Sequence, residues 1–157
     1  MEISIREWSR DDLSQIQRVW LDYCQSLARS DMRLSRDANS AMKQWLTGRF
    51  RQPRSLGFVA EADRVMAGFL VARIDDWESI PPVIEPRRIG IIDAVYVAEP
   101  FRRQGIGGQL IDKAIEKMRA ANVVAVETIY EAWNDASTKA WHHAGFAPWM
   151  VHAYRLL

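Results

Sequence analysis

Tyr96-Val-Ala-Glu-Pro-Phe-Arg-Arg-Gln-Gly-Ile-Gly-Gly-Gln-Leu-Ile-Asp-Lys-Ala-Ile-Glu-Lys-Met118 runs from the end of a β-branched strand through a basic glycine loop into an amphipathic helix. A helix N-terminus carries N–H groups without intrahelical partners and about half a positive charge, which suits a phosphate. Gly105, Gly107 and Gly108 bring no side chains to that end, so an anion can approach the backbone closely. Arg102 and Arg103 add charge at the rim. The stretch reads as a phosphate cradle between a strand and a helix.

The elements around it follow from periodicity. Ile89 to Val97 is a near-continuous apolar run, hence a buried central strand. Upstream, Met1 to Trp8 alternates as a first strand, and Ser9 to Asp12 offers N-cap oxygens. Leu13, Ile16, Val19, Trp20, Tyr23 and Leu27 then keep a helical period, and a second helix starts near Asp37. Leu56 to Ala62 and Val65 to Ile74 are strands joined in a hairpin at Asp63-Arg64. Trp77 to Arg87, with Pro81, Pro82 and Pro86, reads as a loop. Downstream come a strand at Val123 to Ile129, a helix from Asn134 to Ala144 closed by Gly145, and one or two closing strands in Phe146 to Leu156. The class is mixed α/β: a six- or seven-stranded twisted sheet flanked by about four helices. No repeat or linker divides residues 1–157, so a single domain is expected.

Composition narrows the function. Apolar residues at 48% and charged residues at 26% are ordinary for a globular chain with a sizeable core. A net charge of +1 gives no electrostatic reason to expect nucleic acid or an anionic membrane as partner. One cysteine, Cys24, excludes an internal disulfide and suits a reducing cytoplasm. The first residues lack a basic segment followed by an apolar stretch, so no secretory signal is expected, and Val65 to Ala72 is too short to span a bilayer.

Which phosphate the loop holds is a matter of its chemistry. A Walker loop needs Gly-Lys-Ser/Thr, where this chain has Gly107-Gly108-Gln109. A Rossmann fingerprint needs a third glycine where Leu110 stands. What remains is Arg-x-x-Gly-x-Gly. An isolated Gly-x-Gly serves helix–strand packing about as often; the two arginines and the additional glycine favour an anion.

Asp93 to Val97, Glu99-Pro100 and Arg102 to Gly108 resemble the acetyl-coenzyme A motif of the GNAT superfamily of N-acetyltransferases. Asn134, Trp141, Gly145 and Phe146 match a second motif of that family. The resemblance implies a GNAT-like acyl-CoA N-acyltransferase fold with acetyl-CoA as co-substrate and no metal. It implies that Val95, Tyr96 and Val97 border the pantetheine arm. It also implies that backbone amides of Arg103, Gln104, Gly105, Ile106, Gly107 and Gly108, with Arg102, hold the pyrophosphate. Asn134, Ser137 and Trp141 fall at i, i+3 and i+7, one helical face, so with the resemblance all three are expected to border the coenzyme.

The implied reaction is direct acetyl transfer to a primary amine of a small molecule or peptide in a ternary complex. A thioester has a good leaving group, so the protein must hold donor and amine together and stabilise an oxyanion. The amine must also lose a proton. Asp93, expected on the strand face of Val95 and Val97, is the candidate base; the alternative, equally open, is a buried Asp bonded to backbone or to a neighbouring Arg. Many family members have a tyrosine acid where Trp141 stands, and an indole cannot take that role. Trp141 therefore packs against the coenzyme arm or anchors the core, with Tyr130 and Tyr154 as weakly supported replacement acids. The missing tyrosine also leaves open a non-catalytic acyl-CoA-binding sensor.

The acceptor side is less legible. Trp20, Tyr23, Met32 and Trp77 are the candidates for its pocket. Arg49, Arg51 and Arg54 read as a solvated connector or, alternatively, as a contact for an acidic acceptor; Asp75, Asp76, Glu78 and Glu85 read as an exposed acidic loop that, if it borders the acceptor site, favours a cationic amine. The aromatic content of Trp149 to Leu156 suggests a homodimer surface.

Overall fold

The computed structural model describes residues 2–27, 33–77, 85 and 87–155, with only the backbone of Trp77. Five strands form one sheet in the order β1-β2-β3-β4-β5: β1 (Ile3–Glu7), β2 (Ser55–Ala62), β3 (Val65–Trp77), β4 (Arg87–Val97) and β5 (Ala125–Thr128). The first three pairings are antiparallel and β4 with β5 is parallel. Helices α1 (Leu13–Leu27) and α2 (Ala38–Arg51) cover one face, and α3 (Ile106–Ala120) and α4 (Asp135–His143) the other.

Alternation of side chains across the sheet builds two cores. Val59, Phe69 and Val71 pack with Ile16 of α1 and Leu46 of α2. Phe58, Leu70 and Ile92 pack with Ile106, Leu110 and Met118 of α3 and with Trp141 of α4. Gly90 lets α3 close on β4, because a Cβ there would fall 2.3 Å from the Met118 sulfur.

The junction from β1 into α1 is held by charge. Arg6 donates both Nη groups to the Asp12 carboxylate at 2.8 Å, and Nη2 also to Glu61 at 2.6 Å. Asp12 further accepts from the Ser9 amide and hydroxyl, the acidic half of a capping box. The guanidinium, above all, holds the Asp12 carboxyl down to about 2.

The sheet departs from the expected strand count. Residues 147–155 form no strand, so the described sheet has five strands rather than six or seven. Pro148 has no N–H for a ladder, and the Trp149 ring lies 5.3 Å from the Arg87 guanidinium carbon. Met150, Val151 and Tyr154 stay exposed. The proline loop falls largely outside the described residues: β3 and β4 are paired out to Trp77 and Arg87, and Glu85 is exposed. No helix among the described residues is long and apolar enough to cross a membrane.

Candidate active site

The site opens where the sheet splits. β4 and β5 pair from Ile89↔Ala125 to Ile92↔Thr128 and no further. The Thr128 hydroxyl donates to the Ile92 carbonyl at 3.1 Å and closes the last rung. Beyond it, Ala94 to Val97 keep their β3 neighbours, and Asp93 to Val97 have no strand partner on the β5 side among the described residues. An edge of this kind accepts an extended ligand as an added strand.

The open edge leads into the glycine loop. A 3-10 turn at Glu99–Phe101 follows β4, then Arg103 and Gly105 take positive φ of 65° and 77° before α3 begins. Gly105 is the N-cap, and the first helical hydrogen bond, Gln109 N–H to the Gly105 carbonyl, is 3.1 Å. The amides of Ile106, Gly107 and Gly108 precede that bond and are free of helical carbonyls. A Cβ on Gly108 would meet nothing within 4 Å. Packing inside the protein therefore does not require glycine at 108, and the helix end there is open to a group approaching from outside. The residues present fit a coenzyme pyrophosphate.

The other expected coenzyme residues have varied surroundings. Arg102 turns back, its Nε donating to the Val97 carbonyl at 2.9 Å, with its guanidinium near the Tyr96 ring. Gln104 reaches the Pro100 carbonyl at 3.4 Å. Ile106 is a core side chain, so only its amide faces the loop. Asn134 is the N-cap of α4: its Oδ1 accepts from the Ser137 amide at 3.1 Å and its Nδ2 donates to the Tyr23 hydroxyl at 3.5 Å. Trp141 is 8% exposed, between the rings of Tyr130 and Phe146, so the core-anchor reading holds for its packing.

A cavity of about 290 Å³ lies beside the split. α1 contributes Trp20, Tyr23 and Cys24, the sheet contributes Asp93 and Tyr96, and Ser137 and Trp141 come from α4. Trp20 and Tyr23 are thus on its wall as expected. Met32 and the Trp77 side chain lie outside the described residues. Tyr130 also lines the cavity; Tyr154 is exposed in the C-terminal segment and does not. Burial raises the Tyr23 hydroxyl and the Cys24 thiol above their ordinary values, and the Glu131 charge pushes both further the same way.

Asp93 is not on the face of Val95 and Val97. The β3–β4 register shifts between Val71↔Ala94 and Ala72↔Ile92, which makes Asp93 the extra residue of a bulge. Val95 and Val97 pack toward α3, while Asp93 turns to the α1–α2 side. There its Oδ1 accepts a short hydrogen bond from Arg73, and Arg49 Nε stands 3.6 Å from Oδ2. Arg49 is consequently no solvated connector: its side chain is 15% exposed and its guanidinium lies over the Trp45 ring. The two arginines provide the ion pair that the sequence reading held open for Asp93.

Asp75 and Asp76 are also neutralised, by Arg73 at 3.7 Å and by Arg54 and Arg88 at 2.6 and 3.4 Å. Sequence reading missed Glu131, which lines the cavity next to Tyr23 and Cys24. Its signal was position: a carboxylate just past the C-terminal end of a parallel strand, where α/β sheets bind ligands.

The sequence profile of the Acetyltransferase (GNAT) family matches residues 5–146. An uncharacterized N-acetyltransferase of Archaeoglobus fulgidus is 33% identical over 114 residues, covering 73% of this chain and 72% of that protein. A mutant of a Bacillus halodurans protein superposes with a TM-score of 0.84 at 20% identity, over 98% of this chain and 99% of that one. An aminoglycoside N-acetyltransferase solved in complex with CoA gives 0.75 at 19% identity, over 99% and 95%. The profile match spans most of the sequence, and the chain belongs to the Acetyltransferase (GNAT) family.

Proposed function

We propose that the protein transfers an acetyl group from acetyl-CoA to a primary amine by direct attack in a ternary complex. One observation carries the reading: the unpaired edge of β4 runs straight into a helix end with free amides and an unobstructed Gly108. Bound acetyl-CoA supplies a reactive thioester. The β4 edge orients the arm, and the amides at Ile106, Gly107 and Gly108 hold the phosphates, each charge-assisted bond contributing about 1.5–3 kcal/mol. The aromatic wall of Trp20, Tyr23 and Tyr96 holds the acceptor and excludes water.

Asp93 is the expected base, but its geometry favours a different part. Oδ1 is engaged by Arg73, and Oδ2 is buried without a hydrogen bond. Asp93 then acts by fixing Arg73, Arg49 and the bulge at the cavity wall, while the amine's proton leaves through water. Trp141 fills the core, and the departing thiolate takes its proton from solvent or a hydroxyl such as that of Tyr130.

Initial rates with both substrates varied test the ternary mechanism. Intersecting double-reciprocal lines are expected; parallel lines, together with an acetylated protein in mass spectra, would overturn direct attack. The sensor alternative predicts coenzyme binding with no amine-dependent thiol release. The reading extends to a homodimer through the exposed Trp149, Met150 and Val151, and to a cytoplasmic location, in keeping with free Cys24.

A further inference from the structure

Resting on that reading, we infer that Glu131 receives the acceptor's ammonium group and that the acceptor is a singly charged amine on an apolar body. Among the described residues two carboxylates line the cavity, Asp93 and Glu131. Asp93 faces two guanidinium groups, whereas no hydrogen bond or ion pair among the described residues engages the Glu131 carboxylate. An ammonium group leaving water needs a counter-charge, and Glu131 is the carboxylate on this wall that can supply one undivided. Its place is fixed by the turn into α4, where the Asn134 amide donates to the Glu131 carbonyl at 2.9 Å.

The neighbours suit the same guest. Tyr23 accepts one hydrogen bond from Asn134, and the second lone pair of its oxygen remains to accept from an ammonium group. Tyr23 and Tyr96 meet edge to face with centroids 6.0 Å apart, and Phe69 stacks on Tyr96 at 5.8 Å. Rings so grouped present π faces to a cation and flat apolar surface to whatever carries it. Arg33, an exposed residue, is the cation lining this cavity among the described residues and weighs against a second positive charge on the guest. Asp75 and Asp76 hold arginines already. A polycationic aminoglycoside would therefore find one free carboxylate for several ammonium groups.

The test reads binding, so it stands apart from turnover. Dissociation constants are measured by calorimetry for 2-phenylethylamine, its neutral analogue 2-phenylethanol and kanamycin, each with the protein saturated in coenzyme A. The amine should bind at least about tenfold more tightly than kanamycin. Glu131→Gln should weaken the amine by about tenfold or more while leaving 2-phenylethanol within about twofold, and Glu131→Asp should recover part of the loss. Equal weakening of amine and alcohol, no weakening of either, or tighter binding of kanamycin overturns the inference. Amine binding that depends on Glu131 with no acetyl transfer to 2-phenylethylamine or any other amine would instead defeat the acetyltransferase reading and leave the recognition role of Glu131 standing.

Discussion

Gly105 and Gly108 sit three residues apart and answer to different physics. Gly105 holds φ 77°, so Gly105→Ala strains the backbone and should lower stability by about 1 kcal/mol. Gly108 has ordinary φ and open space, so Gly108→Glu should leave the melting temperature nearly unchanged. Its carboxylate would nonetheless occupy the helix end, and the KM for acetyl-CoA should rise by about tenfold or more. A Gly108→Glu protein with unaltered KM would show that no anion binds there. Asp93→Asn separates the two parts written for that residue. Stripping the charge from under Arg73 and Arg49 should cost about 1–3 kcal/mol in denaturant unfolding, with kcat falling by less than about tenfold. A kcat loss of about a hundredfold or more at unchanged stability would make Asp93 the general base after all.

At the scale of elements, the junction from β1 to α1 has a pH signature. Asp12 titrates at about 2 in the folded protein against an ordinary value of 3.8. A depressed carboxyl contributes its stability in full above the unfolded value and loses it as pH falls from there toward 2. With Arg6 40% exposed, that contribution is about 1–2 kcal/mol. Asp12→Asn should thus melt lower than the unmodified protein at pH 7, with the difference shrinking below pH 4 or so. A difference constant down to pH 3 or so would assign the effect to capping alone. The same scale separates what periodicity reveals from what it hides. Ile89 to Val97 and the helix after the glycine loop announce themselves by apolar pattern and glycine spacing; β4 starts two residues earlier, at Arg87, and α3 starts at Ile106, so that Gly107 and Gly108 lie inside its first turn. The bulge is invisible to that pattern, because one inserted residue changes the facing of Asp93 without altering any residue type. Arg49 was likewise illegible: its partner is remote in the chain, and only the packing of α2 on β2 brings them together. Trp149 to Tyr154 has strand-like composition but no ladder partner among the described residues, so composition alone overcounted the described sheet.

For the molecule as a whole, the donor and acceptor sides proposed above are built differently. The coenzyme side uses backbone: an unpaired strand edge and a helix terminus, features that a short motif can encode. The acceptor side uses side chains brought from α1, β4 and the turn before α4, so its chemistry emerges only when the fold assembles them. Saturation with acetyl-CoA at about a hundredfold over its Kd should stabilise the folded state by about 2.7 kcal/mol. Light scattering on a sizing column should return twice 18.1 kDa if the exposed C-terminal apolar residues join two copies. A mass of 18.1 kDa at high protein concentration would remove the homodimer. Thiol release from acetyl-CoA measures acetyl transfer to an amine directly, with the Gly108→Glu protein as control. Release should require an added primary amine, yield an N-acetylated product by mass spectrometry and fall sharply in the control; acetyl-CoA binding without amine-dependent release across aromatic amines, polyamines, amino acids, aminoglycosides and peptides would contradict acetyl transfer.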